Sequence, residues 1–188
     1  GANAGSFLHQ IFEELNFDDQ SDLEKLIKDN LLRFGFEEQW QEPVKKWIEK
    51  SVQHNLGNPN TSLSALSENR VIKEMEFFFP VNNLQTSEIW RLIRLKHSDH
   101  NDIESYNGYL KGYIDLIFEW QGKFYILDYK SNHLGNHNDD YSEEALNNAV
   151  IDAGYDLQYH LYTLALHRYL SSRIADYAYE DHFGGVLY

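Results

Sequence analysis

The stretch YLKGYIDLIFEWQGKFYILDYKSN, residues 109–132, contains two acids and one amine whose spacing can do chemistry. Its two arms are rich in Tyr, Ile, Phe and Leu, and Gln121-Gly122 lies between them, where a tight hairpin turn needs residues tolerant of positive φ. A turn centred there makes cross-strand neighbours of positions whose numbers sum to 243, and Asp115 and Asp128 are such a pair. Directly opposed side chains have Cβ atoms ~4.5–5.5 Å apart, a distance at which like charges destabilise unless something compensates. A divalent cation is the obvious compensator. Asp128 and Lys130 are two apart on one strand, so the ammonium shares the face of the carboxylate. This grouping suits phosphodiester hydrolysis, in which Mg²⁺ held by hard carboxylate oxygens polarises a phosphate and acidifies a bound water. Lys130 then either positions that water or balances developing charge. The plainer reading makes Asp115 a strand-edge residue and Asp128/Lys130 an exposed ion pair worth little. Against it stand Ile114, Leu116, Ile117, Ile126 and Leu127, which predict strands packed on both faces, where an acid needs a reason.

The elements that must position this hairpin are legible in outline. Residues 4–16 carry Phe7, Leu8, Ile11, Phe12 and Leu15 at helical spacing, with His9 beside the stripe. Further amphipathic helices are predicted from Ser21, started by Ser21 with Glu24, and from Glu42, started by Pro43. After the turn-rich HNLGNPNTSL, the run Val71–Val81 reads as a strand stopped by Pro80, with Glu74 and Glu76 on one face. A short helix is expected around SEIWRLIRLKH, then a polar loop ending at Asn107. Residues 134–153 read as a polar loop with a helix from Ser142. A helix from Asp156 carries Leu157, Leu161, Leu164 and Ala165 at helical spacing and is expected to pack against the sheet; GGVLY closes the chain. Gln158 and Tyr162, four apart, share a face of that helix. The expected fold is α/β: a central mixed sheet flanked by helices with an amino-terminal helical portion. One domain spans 1–188, mainly helical to about residue 65 and α/β from about residue 70.

The chain has 188 residues, 42% hydrophobic and 24% charged, which is ordinary for one globular domain. It contains no Cys, which excludes a disulfide framework, a thiolate nucleophile and Cys-ligated zinc or iron–sulfur centres. No run approaches the ~18–20 apolar residues of a membrane span, and the first residues lack the basic start and cleavage site of a signal peptide, so a cytoplasmic protein without membrane partners is expected. With 16 Lys+Arg against 30 Asp+Glu, the formal net charge is −14. Such a surface should repel nucleic acid, so if DNA is the substrate something else must deliver it.

The ordered set G-Y-I-D at 112–115, D-Y-K at 128–130 and Q-x-x-x-Y at Gln158 and Tyr162 resembles the PD-(D/E)XK nuclease superfamily. More narrowly, LKGYIDLIFEWQGKFYILDYKSNHLG and YDLQYHLYTLALHRYL, with the early GSFLH, resemble the RecB group of nuclease domains, those at the carboxy terminus of the exodeoxyribonuclease V beta subunit. The similarity runs along the whole chain and is least distinctive over about 40–105. It implies that His9, Asp115 and Asp128 bind Mg²⁺, with Mn²⁺ or Ca²⁺ able to replace it in binding, and that Lys130 is the catalytic lysine. It further implies the backbone carbonyl of Tyr129 as a metal ligand and DNA or active-site contact by Gln158 and Tyr162. For the family's upstream acid, Glu74 fits E-x-x-F, with Glu76 the alternative. It implies as partners RecC-like and RecD-like subunits and DNA fed as single strands by a helicase, in bacterial double-strand break repair and recombination.

Three departures qualify the resemblance. No G-x-x-x-x-G-K-[ST] phosphate-binding loop is present, so the chain carries no helicase motor. GGVLY stands where the family's domain continues through a further strand and helix, which makes a truncated carboxy terminus the expectation. The proline of the superfamily name is missing before Asp115. The competing function is a non-catalytic docking module, as in nuclease-fold domains that have lost their ligands; the intact His9, Asp115, Asp128 and Lys130 argue for the enzyme. An iron–sulfur nuclease of the Cas4 kind is excluded by the lack of Cys, and no motif favours a phosphatase or sugar hydrolase.

Overall fold

Three amphipathic helices open the chain in the computed structural model, which describes residues 2–85, 105–131, 134–152 and 155–188. Helix α1 (Ala2–Glu14) buries Phe7, Ile11 and Phe12, and Leu15 follows just past its end. Each such burial is worth about 1.5–3 kcal/mol, enough to hold a helix too short to persist alone. Helix α2 (Leu23–Phe34) ends at Gly35, whose φ of 73° lets the Phe36 and Gly35 amides turn back to the carbonyls of Leu31 and Leu32. The expected Ser21–Glu24 start is not made. The helix begins after Asp22 with no side-chain cap, and the Ser21 amide donates to Asp19 Oδ1 at 3.0 Å. Helix α3 (Gln41–Gln53) carries Pro43 in its first turn, where the missing N–H has no intrahelical partner to lose.

Strand β1 (Val71–Gln85) does not stop at Pro80. It lies at one edge of a four-stranded sheet ordered β1-β2-β3-β4, and an edge strand can place a proline where no ladder bond is needed. Strand β2 (Ser105–Trp120) begins earlier than the sequence signals, four residues before Tyr109. It pairs antiparallel with β3 (Lys123–Leu127), from Trp120↔Lys123 to Leu116↔Leu127, so every pair sums to the expected 243. Gln121 and Gly122 both have positive φ, 51° and 82°, the two-residue turn that matches strand twist. The terminal apolar segment forms β4 (Phe183–Leu187), parallel to β3, which makes the sheet mixed.

The chain divides into two compact units, with the division falling inside β1 and β2. The first comprises Gly1–Met75, Ile114–Ser131 and Glu180–Tyr188. Its core joins α1, α2 and α3 to Leu116, Phe118, Tyr125 and Leu127 of the hairpin. Lys73 ties β1 to this core by donating to the Leu15 carbonyl at 2.6 Å, its ammonium lying 4.6 Å from the Phe17 ring centre.

The second unit comprises Glu76–Tyr113 and Asn132–Tyr179. It holds α4 (Glu143–Asp152), where a helix from Ser142 is expected, and α5 (Tyr155–Ser171). The buried side of α5 differs from the expected leucine stripe. Tyr162, Ala165, Leu166 and Leu170 are buried, whereas Leu164 is exposed. Two aromatic residues of β1 set this orientation: Tyr162 meets Phe77 edge-on at 5.9 Å and the Arg168 guanidinium lies 4.8 Å from the Phe79 ring centre. The helix expected around SEIWRLIRLKH lies outside the described residues. A four-residue helix, α6 (Tyr179–His182), leads into β4. Among the described residues no helix is long and apolar enough to cross a membrane.

Candidate active site

The hairpin ladder ends at Leu116↔Leu127, and the next position outward is the pair Asp115 and Asp128. Asp128 leaves β3 while its amide still donates to the Leu187 carbonyl of β4 at 3.0 Å. Its carboxylate is buried and ion-paired through Oδ2 with the Lys130 ammonium. On the opposite arm, Asp115 Oδ2 accepts the Tyr129 amide at 2.8 Å and lies 3.7 Å from His9 Nδ1. The acids that sequence spacing pairs are thus neighbours, and His9 is brought to them from α1.

Tyr129 makes that approach possible. Its ring lies 4.8 Å from Phe12 and meets His9 edge-on at 5.8 Å, so α1 is packed directly over the strand end. Burial, then the charges of Asp115 and Glu74, push its phenol well above the usual tyrosine range, which keeps the ring neutral and packed. Neither the ring nor the amide of Tyr129 is singled out by sequence reasoning, which picks only its carbonyl. The signal was available: an aromatic residue between two charged ones, opposite an aromatic helix stripe.

Glu74 and Glu76 have different surroundings. Glu74 is half-buried, has a φ of 50° unusual for a residue with a side chain, and lines an open polar cavity with His9, Gln10, Glu13 and Asp115. Burial, followed by the charges of Asp115 and Glu13, raises its carboxyl above the ordinary range. Glu76 is exposed, belongs to the second unit, and pairs with Lys111 at 2.6 Å, which lowers its carboxyl. Glu13 was not among the expected site residues; it stands four after His9, so both face one side of α1.

Burial and then the neighbouring Asp128 raise the Asp115 carboxyl, opposed by the Tyr129 amide, His9 and Lys130. Negative charge is therefore in excess at the strand end, and the donors are hard oxygens with one imidazole. The buried Oδ2 of Asp128 already holds the Lys130 ammonium, so its surroundings suit positive charge. With Asp128 engaged by Lys130 and Asp115 by the Tyr129 amide, no three His, Asp or Glu side chains among the described residues converge on one coordination point. Gln158 and Tyr162 belong to the second unit, where Gln158 Nε2 donates to Tyr162 Oη at 2.8 Å, as expected of one helix face.

A mixed sheet edged by helices thus carries an acid pair and a lysine at a strand end. The chain belongs to the PD-(D/E)XK nuclease superfamily, whose family model matches residues 1–179. It is similar to the RecBCD enzyme subunit RecB of Escherichia coli (strain K12), 44% identical over 194 residues that cover 100% of this chain and 16% of the relative. The RecB subunits of Haemophilus influenzae (strain ATCC 51907 / DSM 11121 / KW20 / Rd), 36% identical over 195 residues, and Borreliella burgdorferi (strain ATCC 35210 / DSM 4680 / CIP 102532 / B31), 32% identical over 200 residues, likewise match 100% of this chain and 16% of their own length. The chain thus spans about one sixth of the length of these relatives. The fold class and the RecB-type nuclease resemblance read from the motifs stand, and the relationship supports a nuclease.

Proposed function

We propose that this chain is the nuclease domain of a RecBCD-type helicase-nuclease, a Mg²⁺-dependent deoxyribonuclease acting on DNA delivered as single strands. The observation that carries the reading is the pairing of buried Asp128 and part-buried Asp115, with Lys130 beside them. His9, Asp115, Asp128 and the Tyr129 carbonyl would hold the cation, which when bound polarises the scissile phosphate and acidifies a water. Asp128 keeps the Lys130 ammonium at the site, where it orients the attacking water or balances charge developing on the phosphate. The Tyr129 amide fixes Asp115, and the Tyr129 and Phe12 rings fix His9 above it. Glu74 is the upstream acid. Gln158 and Tyr162 act as a hydrogen-bonded pair that contacts DNA.

The charge of −14 fits a domain to which DNA is threaded by a helicase with RecC-like and RecD-like partners, because guided delivery replaces electrostatic attraction. The whole 1–188 chain acts as one nuclease domain, in double-strand break repair and recombination in the bacterial cytoplasm. The test is cleavage of end-labelled linear single-stranded DNA in Mg²⁺, with Mn²⁺ substitution and an EDTA control. Cleavage in either metal that stops in EDTA is expected. Cleavage that persists in EDTA would overturn the metal-dependent reading, and binding without cleavage would favour a docking module.

A further inference from the structure

The strand end faces a second recess, distinct from the polar cavity of Glu74. A cleft of about 410 Å³, within the ~300–1,000 Å³ typical of small-molecule sites, is lined by Asp128, Tyr129 and Lys130 together with Trp47, His54 and Leu56. Trp47 is 48% exposed. The ring is held edge-on to Phe12 at 6.0 Å, and Phe12 lies against Tyr129. An aromatic series therefore runs from Tyr129, the site lysine's neighbour, through Phe12 to the part-exposed Trp47 indole.

We propose that this cleft holds a nucleobase of the single-stranded substrate next to the cleaved phosphate, stacked on Trp47. The inference rests on the nuclease reading above and adds how the strand is gripped. Three observations carry it. The cleft is continuous with the residues placed at the phosphate, so whatever occupies it is covalently near the reacting group. Its lining sets apolar and aromatic residues beside polar ones with Lys130 as its one lysine or arginine, whereas a backbone groove is basic. The chain's 30 Asp+Glu against 16 Lys+Arg leave little charge to track phosphates, and base–aromatic stacking holds a strand without it. Every base has a π-face, so the grip is tolerant of sequence.

Binding of a labelled single-stranded oligonucleotide is measured in Ca²⁺ and its cleavage in Mg²⁺, for intact strands and for strands abasic over their central nucleotides. Stacking of one base on an aromatic ring corresponds to about a 5- to 100-fold change in Kd. The parent should lose binding in that range on the abasic strand. Trp47→Ala should lose as much on the intact strand and nothing more on the abasic one, whereas Trp47→Phe stays near the parent. Trp40→Ala, at a comparably exposed indole that does not line the cleft, should match the parent on both strands. A parent strand carrying 5-iododeoxyuridine should photocrosslink at Trp47, a readout that requires no variant. Equal parent binding to intact and abasic strands, multiplicative losses, or crosslinking elsewhere would overturn the proposal. Failure of the nuclease reading looks different: the parent discriminates abasic strands but does not cut.

Discussion

The Tyr129 amide donates to Asp115 Oδ2 across the hairpin, so the residue between Asp128 and Lys130 fixes the acid facing them. The D-Y-K motif thus reaches across the sheet as well as along its own strand. The Tyr129 ring meanwhile carries α1, and with it His9, over the same point.

This arrangement concentrates negative charge, and stability should show it. The raised Asp115 and Glu74 carboxyls mean that, just above their ordinary range, the folded chain keeps protons the unfolded chain has lost. Stability therefore falls as pH rises through the window between unfolded and folded values, and the penalty is complete above the folded values. In EDTA the melting temperature should decline as pH rises above the ordinary values of 3.8 for Asp and 4.5 for Glu. Asp115→Asn should flatten that decline and raise the neutral-pH melting temperature, since an amide oxygen still accepts the Tyr129 N–H. A lower melting temperature for Asp115→Asn at neutral pH would contradict this reading.

The two glutamates should separate cleanly. Glu74→Gln should lower the Mg²⁺-dependent cleavage rate by about 10²-fold or more, the scale of a lost acid–base or electrostatic group. Glu76→Gln removes an exposed partner of Lys111 and should leave the rate within about two-fold, as surface pairs are worth little. Equal losses would place the upstream acid elsewhere.

Gly112, the first residue of G-Y-I-D, has a packing reason. A Cβ there would stand 2.4 Å from Phe77 Cζ, so the ring must move. Gly112→Ala should destabilise by about 1–3 kcal/mol in denaturant unfolding, the usual range for overpacking. Phe77→Leu in the same chain should recover part of that loss.

The Gln158–Tyr162 pair should act on substrate binding. Tyr162→Phe removes the acceptor of the 2.8 Å bond, and Gln158→Ala removes its donor. Each should raise KM for single-stranded DNA several-fold with kcat little changed, and the double variant should be no worse than the poorer single one. A change confined to kcat would contradict a binding role.

What the sequence revealed follows from how local each determinant is. The Asp115/Asp128 register was readable because a two-residue turn at Gln121-Gly122 leaves one pairing. The continuation of β1 through Pro80 was not, since edge position depends on strand order. Helix α5 misled because apolar and aromatic residues occur all around it; Phe77 and Phe79, far away in sequence, choose the Tyr162 side. His9 drew notice through its motif, but the packing that delivers it to Asp115 runs through Tyr129 and Phe12, a contact no spacing rule contains.

The most direct measurement is the initial rate at which the parent and Asp128→Ala cut the same labelled linear single-stranded DNA in Mg²⁺, at matched and verified folding. The account predicts that Asp128→Ala falls to the level of the parent in EDTA. Cleavage by Asp128→Ala at the parental rate would contradict it.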